Sequence, residues 1–562
     1  MADSATVLST ELSSSVAAWR AQDPDPGTRA ALDDLLSGVE RGEAAALAEL
    51  TDAFAGRLEF GTAGLRAALG PGPRRMNRVV VGQAAAGLAT YLLDQGLRGG
   101  RVLVGYDARH QSDVFATDTA AVMTAAGFEV VVTDGPTPTP VVAFGIGYLD
   151  CVAAVVVTAS HNPPQDNGYK VYLGDGSQIV PPADAEISAR IEEITQHDLA
   201  DVPRATNGWQ VGGPELTRAY LARVAGRVPS GPRALSWVYT PLHGVGGGWA
   251  ASAAAAAGFP PAVTVEQQAL PDPDFPTLAF PNPEEPGALD LALARAAEVG
   301  ADLVVANDPD ADRCAVALPG PDPHDRDGWA VLRGDDLGAL LGDDALRRGL
   351  RGTYACSIVS SSLLAEMALA HSEPFVSTLT GFKWIGRVPG LVFGYEEALG
   401  YCCDPAAVPD KDGLSALVTV LGLAARLKAA GQTLAGRLDD IARRYGLHRT
   451  DQLSVRRDDP AEITAAVQRL RDQPPYRLLD QSVTTEDLAP GSPGLPPTDA
   501  VRIVGDSLSV VVRPSGTEPK LKCYLEVRLT VGETTDLVGA HELASAQLAQ
   551  LRAELTDALG LA

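Results

Sequence analysis

Three times along the chain, short apolar runs with the period of a strand alternate with longer stretches patterned as helix. In the first series, residues 102–106, 128–133 and 152–157 are strand-like, and residues 84–95 place apolar side chains at helical spacing. The pattern restarts with an extended run at 235–239, a helical run at 249–257 and a strand at 303–306. A third series follows, with 338–348 helical, 354–359 and 375–378 extended, and 391–393 running into a turn. Such alternation predicts parallel α/β layers, because parallel strands need a crossover that a helix supplies. Residues 27–55 are patterned as helices ahead of the first series, with Ala30, Ala31, Leu32, Leu35 and Leu36 on the apolar side. Past residue 450 the style changes. A helical run, a Pro- and Gly-rich linker at 490–497, strands at 500–503, 508–513 and 521–529, and a helix from Ala540 predict a small α+β domain. The expected divisions are 1–57 as an N-terminal helical extension packing on the first domain, then 58–207, 208–326, 327–449 and 450–562.

Composition narrows the function. Lys plus Arg number 45 against 71 Asp plus Glu in 562 residues, a formal net charge of -26. That balance argues against nucleic acid or an anionic membrane as partner, so an anionic substrate needs a local basic pocket. Cys151, Cys314, Cys356, Cys402, Cys403 and Cys523 are scattered without paired metal spacing and read as buried thiols of a reducing compartment. The first twenty residues lack the basic region and apolar core of a secretory signal. No apolar run reaches the roughly 18 residues of a membrane span. A cytoplasmic protein with no membrane and no obligate protein partner is expected.

Candidate chemistry gathers in turns that follow strands. The run at 303–306 delivers Asp308, Asp310 and Asp312 at alternate positions, followed by Arg313. Carboxylates this close repel unless a cation screens them, and oxygen ligands suit Mg²⁺ or Mn²⁺. Such an ion keeps positions open for water or a phosphate oxygen. A second strand runs into Thr158-Ala159-Ser160-His161-Asn162-Pro163-Pro164 and then Asn167-Gly168-Tyr169-Lys170. A serine there faces the region where α/β sheets place ligands, so Ser160 is a candidate nucleophile or phosphate carrier, with a plain turn as the alternative. The segment lacks the Gly-x-Ser-x-Gly elbow of an α/β-hydrolase. Near the C-terminus, Arg513-Pro514-Ser515-Gly516-Thr517 offers a guanidinium, two hydroxyls and consecutive N–H groups, a phosphate cradle or a hairpin turn, and it is not a Walker loop. Thr380-Gly381-Phe382-Lys383 and Glu396-Glu397-Ala398 supply a cation and paired carboxylates suited to sugar hydroxyls. Phe60-Gly61-Thr62-Ala63-Gly64-Leu65-Arg66 ends a small-residue loop in an arginine that can pair with phosphate. His243 reads as a turn residue.

Taken together and in order from about residue 58 to 530, these segments resemble the α-D-phosphohexomutase superfamily of phosphoglucomutases and phosphomannomutases. The first loop and Gly381-Phe382-Lys383-Trp384 look most like the branch holding bacterial α-phosphoglucomutases and phosphopentomutase-like enzymes. The resemblance implies three similar α/β domains with mixed sheets plus a C-terminal α+β domain around a central cleft. Residues 58–207 would form the phosphoserine domain, 208–326 the metal-binding domain, 327–449 the sugar-binding domain and 450–562 the phosphate-binding domain. It further implies a phosphorylated Ser160 that joins Asp308, Asp310 and Asp312 on Mg²⁺, with His161, Lys170, Arg66 and Arg313 as electrostatic and proton-transfer groups. Lys170 would be the general acid/base. Thr380, Gly381, Lys383, Glu396 and Glu397 would bind sugar, and Arg513, Ser515, Gly516 and Thr517 its phosphate.

The implied reaction interconverts glucose 1-phosphate and glucose 6-phosphate through glucose 1,6-bisphosphate, which serves as intermediate and activator. Phosphomannomutase or phosphopentomutase activity by the same mechanism is the alternative. Many members carry serine where this chain has Ala398, which leaves room for a pentose phosphate. A metal-dependent sugar phosphatase and a silent phosphosugar-binding protein are readings of other classes. The first would leave Ser160 and the C-terminal cradle superfluous, and the second would leave the three aspartates and Lys170 unexplained.

Overall fold

The computed structural model describes residues 8–320, 328–457, 459–515 and 520–561. The chain divides into two compact units, one of Met1–Val228, Ser236–Cys314 and Ala407–Val418, the other of Pro229–Leu235, Ala315–Ala406 and Thr419–Ala562.

The first unit opens with the helices Thr10–Gln22, Pro26–Glu40 and Ala44–Ala53. Ser9 caps the first by accepting the Leu12 N–H, and Asp25 with Pro26 starts the second. Their Trp19, Leu32 and Leu50 share one core with Met76, Val79 and Leu88 of the following segment. A six-stranded sheet follows in the order Leu65–Ala68, Asp166–Leu173, Cys151–Val157, Arg101–Tyr106, Glu129–Val132, Gln210–Val211. The last four strands are parallel, as the strand–helix alternation predicts. Asp166–Leu173 runs antiparallel to Cys151–Val157, and Leu65–Ala68 antiparallel to it in turn.

The sheet is therefore mixed, as the family resemblance implies, with the parallel strands that the alternation predicts at its centre. Gly168 lies inside the strand Asp166–Leu173, where a Cβ would stand 2.5 Å from the Thr158 carbonyl oxygen and 2.9 Å from that of Leu65. Only glycine lets three backbones approach so closely. The same unit holds a second layer of parallel strands, Trp237–Thr240 beside Val263–Thr264 and Leu303–Ala306.

In the second unit Thr353–Ser357 lies between Phe375–Thr378 and Leu391–Glu396, all parallel, and Gly400–Cys402 closes that sheet antiparallel. The C-terminal part is an antiparallel sheet in the order Leu447–Arg456, Lys520–Leu529, Leu508–Pro514, Val501–Gly505, Gln481–Asp487, Arg477–Leu478. The helices Pro460–Asp472 and Leu537–Leu559 share its core through Val467, Leu470, Leu551 and Leu555. No single helix among the described residues is long and apolar enough to cross a membrane.

Candidate active site

Ser160 sits three residues past the end of the buried strand Cys151–Val157, with its backbone in the left-handed region at φ 53°. A serine rarely adopts that conformation, so the surroundings must hold it. Thr158 Oγ1 accepts the Ser160 N–H at 2.8 Å. The buried Arg109 guanidinium donates to four carbonyl oxygens of the same loop, those of Ser160 at 2.7 Å, Asn162 at 2.5 Å, Pro163 at 2.8 Å and Asp166 at 3.1 Å. Asp107 lies 3.4 Å from Arg109 Nε and supplies its countercharge.

The three aspartates follow the strand Leu303–Ala306, and all are buried. Their turn is fixed by Ala311 in the left-handed region and by the Arg313 N–H, which donates to Asp308 Oδ1 at 3.0 Å. Gly413 closes against the turn so tightly that a Cβ there would lie 2.3 Å from the Arg313 carbonyl oxygen. Ser160 Oγ donates to Asp308 Oδ2 at 2.9 Å and lies 3.2 Å from His161 Nδ1. Lys170, from the antiparallel strand, donates to Asp310 Oδ2 at 2.7 Å and Asp312 Oδ2 at 3.0 Å. Thr139 Oγ1 adds a bond to Asp310 at 2.6 Å. Arg66 Nη1 donates to Asn162 Oδ1 at 3.0 Å, and Arg313 Nε lies 3.9 Å from Asp308 Oδ2.

The charges are unevenly answered. Burial, reinforced by Asp310 and Asp312, pushes the Asp308 carboxyl well above the usual carboxylate range. Burial would raise Asp312 too, but Lys170, Lys411 and Arg313 outweigh it and hold it low. Burial, with Arg313 and Arg66 nearby, keeps His161 a neutral imidazole. Asp310 Oδ1 and Asp312 Oδ1 are buried without a hydrogen-bond partner, while ligand oxygens from all three aspartates lie within 4.8 Å of one another. Orphaned carboxylate oxygens beside a serine hydroxyl are a donor set that fits a hard divalent cation.

Lys411 escaped the sequence reading. Its Nζ is 3.2 Å from Asp312 Oδ2, and the neighbouring Asp410 and Asp412 accept the Tyr172 and Tyr220 hydroxyls, each at 2.7 Å. Its signal was a lone cation in Asp410-Lys411-Asp412-Gly413, which only the fold brings to the metal turn. Arg109 and Thr139 were missed as well, the former because its partners are backbone carbonyls. His243 is a turn residue bonded to Thr277 at 2.9 Å.

The remaining candidates lie in the second unit. Glu396 Oε1 accepts the Gly381 N–H at 2.5 Å, and Glu397 Oε2 accepts the hydroxyls of Ser357 at 3.1 Å and Ser360 at 3.2 Å. Arg513 Nη1 donates to Thr380 Oγ1, and Lys383 is half-buried in the short helix Phe382–Ile385 that follows Gly381. The Ser515 N–H donates to the Lys520 carbonyl at 2.8 Å. That N–H closes a hairpin, so Ser515 offers a cradle its hydroxyl only. Gly516 and Thr517 lie outside the described residues.

Four family models match in sequence order, all described as phosphoglucomutase/phosphomannomutase: alpha/beta/alpha domain I over residues 57–198, domain II over 218–320, domain III over 333–445 and the C-terminal domain over 453–541. A Haemophilus influenzae protein named probable phosphomannomutase is 44% identical, over 81% of this chain and 93% of its own length. Human phosphopentomutase is 36% identical over 85% of this chain and 86% of its own. Human glucose 1,6-bisphosphate synthase is 33% identical over 92% and 90%. Among solved structures, the Paramecium phosphoglucomutase parafusin matches with a TM-score of 0.68 at 19% identity, over 90% of this chain and 95% of that one.

Proposed function

The chain belongs to the phosphoglucomutase/phosphomannomutase family, and from that premise we propose that it interconverts glucose 1-phosphate and glucose 6-phosphate through a phosphoserine at Ser160 and a glucose 1,6-bisphosphate intermediate. The observation that carries this reading is the Ser160 hydroxyl 2.9 Å from Asp308, beside two buried and unpartnered carboxylate oxygens. Ser160, Asp308, Asp310 and Asp312 would hold Mg²⁺, which as a Lewis acid would supply positive charge to a phosphoryl group in transfer.

The chain's own residues then act by positioning and charge. Arg109 and Thr158 hold Ser160 in its left-handed conformation before substrate arrives. In the first transfer the bond from phosphorus to Ser160 Oγ breaks and one to the sugar hydroxyl oxygen forms. The proton the hydroxyl loses replaces the one the serine oxygen gains: Lys170, held as a cation by Asp310 and Asp312, gives a proton to the serine oxygen and takes up the one released by the sugar hydroxyl, so that it ends as it began. His161, Arg66 and Arg313 complete the charged surroundings. Glu396, Glu397, Thr380, Gly381 and Lys383 are assigned to the sugar, and Arg513, Ser515, Gly516 and Thr517 to its phosphate. The bisphosphate must turn end for end before the second transfer returns a phosphoryl group to Ser160. The divisions 58–207, 208–326, 327–449 and 450–562 are proposed as the domains carrying these four tasks.

Pentose phosphate is the second reading. Ala398 removes a hydroxyl from the sugar loop, and relatives named phosphopentomutase support it. Turnover of glucose 1-phosphate, mannose 1-phosphate and ribose 1-phosphate, with Mg²⁺ and a catalytic amount of sugar bisphosphate, separates the readings. Ser160→Ala is expected to lower kcat by about 10³-fold or more, since it removes the hydroxyl that Asp308 accepts. Full turnover by that variant, or free phosphate as the sole product of the native protein, would sink the mechanism.

A further inference from the structure

Glu526 lies in the strand Lys520–Leu529, is 6% exposed, and belongs to no motif noted above. Four hydrogen-bonding groups converge on its carboxylate. Ser361 Oγ donates to Oε1 at 2.7 Å, the Ser362 N–H to Oε1 at 2.9 Å, Ser362 Oγ to Oε2 at 2.8 Å, and His448 Nδ1 lies 3.0 Å from Oε1. Ser361 and Ser362 end the turn after the strand Thr353–Ser357. The beginning of the same turn holds the sugar loop, through the Ser357 and Ser360 hydroxyls on Glu397 Oε2 and the Glu397 N–H on Ser360 Oγ at 3.1 Å. Asp335 adds a tie, accepting the Ser361 N–H at 2.7 Å and the hydroxyl of Tyr395, next to Glu396, at 2.9 Å.

One short turn is thus gripped by Glu397 at one end and Glu526 at the other. Glu526 is also built into the strand that pairs with Leu508–Pro514, in the register that sets Arg513 opposite Lys522. Beside the direct bond from Arg513 to Thr380, a second path, from Glu397 to the strand paired with Leu508–Pro514, therefore runs through one buried carboxylate, linking the segments matched by the third and fourth family models. Charge-assisted bonds of this kind are short and directional, which makes the link stiff.

We propose that Glu526 is a positioning residue that fixes the span between Glu397 and the strand carrying Arg513, and thereby sets which length of sugar phosphate is accepted. The inference rests on the proposed function. A hexose phosphate and a pentose phosphate differ by one carbon between the phosphate and the far hydroxyl, so a rigid span discriminates between them and a loose span does not. Gln in place of Glu526 removes the charge and turns an NH₂ group toward serine hydroxyls that are themselves donors.

The test compares the native protein with E526Q and with S361A/S362A, measuring kcat and KM for glucose 1-phosphate and ribose 1-phosphate, the melting temperature, and Ser160 phosphate occupancy by intact mass. E526Q is expected to raise KM for the preferred sugar phosphate about tenfold, the loss of one charge-assisted bond's worth of ordering. Its kcat and Ser160 occupancy stay near native, and the ratio of kcat/KM between the two sugars moves toward one. S361A/S362A moves the same way by less, and carries the test alone if E526Q does not fold. A melting temperature that falls while the sugar ratio stays fixed makes Glu526 a stability residue and overturns the inference. If the native protein turns over neither sugar phosphate, the proposed function fails instead.

Discussion

The residues proposed for phosphoryl transfer and two of those proposed for recognition, Glu396 and Arg513, are held in opposite ways. In the first unit the Ser160 loop receives four bonds from one buried guanidinium, and Asp310 is answered by both Lys170 and Thr139. In the second unit Glu396 is held by the Gly381 N–H, and Arg513 reaches Thr380 Oγ1 and the carbonyl of Pro514 at 3.4 Å, with both side chains half-buried. The difference follows from what each group must do. Transfer geometry has to exist before the substrate arrives, because reorganising dipoles during reaction raises the barrier. On their proposed roles, Glu396 and Arg513 have to exchange resting partners for sugar hydroxyls and phosphate oxygens, so few partners favour binding there, while Glu397 keeps the firm hold that sets the span.

The sharpest way to break this comparison is to remove one arginine from each side. Arg109→Met strands four carbonyl oxygens and the buried Asp107 together, and should destabilise the fold by about 3–5 kcal/mol. Arg513→Met exposes no buried charge, so its stability should change by less than about 1 kcal/mol while KM for the sugar phosphate rises. Urea unfolding of both variants beside steady-state kinetics reads the contrast. Equal losses of stability would show that the two regions are held alike.

Asp335, bonded to Ser361 and Tyr395, belongs with Glu526 to the firmly held part of the second unit, and pH separates it from Glu396 and Arg513. Burial pushes its carboxyl up to about 6 from 3.8, against bonds from Ser361, Thr450 and Tyr395 that favour the ionised form. Between those two values the folded protein holds the proton more tightly than the unfolded chain. Stability therefore falls as pH rises through that window and levels off above about 6, a change of about 3 kcal/mol in all, with about 1 kcal/mol of it between pH 5 and 7. Glu526 works in a separate window. Burial would raise it, but the bonds from His448, Ser361 and Ser362 win and hold it below its usual 4.5, so its contribution is present above that pH and lost below. The stability gap between the native protein and D335N should narrow by about 1 kcal/mol from pH 5 to pH 7 in urea unfolding. A constant gap would place the Asp335 proton equally in both states.

What the sequence made legible, and what it hid, divides along the same line. Asp308, Asp310 and Asp312 were readable because alternate carboxylates after an apolar strand have no use in a core. Ser160 was readable from its place at a strand end. Lys411 was not, since its nearness to Asp312 depends on a segment about a hundred residues later folding back against the turn. Arg109 was not, because backbone carbonyls carry no side-chain signature. The strand Asp166–Leu173 was not read from sequence, and its Gly168 serves close backbone approach, a role that a linear pattern does not carry. Residues that act through side-chain chemistry show in a linear pattern, and residues that act by holding backbone do not.

The smallest expected effect tests how finely the recognition side reads its substrate. Ala398 is half-buried between Glu397 and Leu399, the latter in the left-handed region at φ 60°, so the backbone there is already committed and a serine adds only a hydroxyl. One new hydrogen bond to a sugar hydroxyl is worth about 1 kcal/mol, roughly a fivefold change in kcat/KM. A hexose offers more hydroxyls to that loop than a pentose. Ala398→Ser should therefore raise kcat/KM for glucose 1-phosphate about fivefold relative to ribose 1-phosphate, with the melting temperature unchanged. If both substrates gain equally, the loop reads a feature they share, and sugar length is discriminated by the span that Glu526 holds.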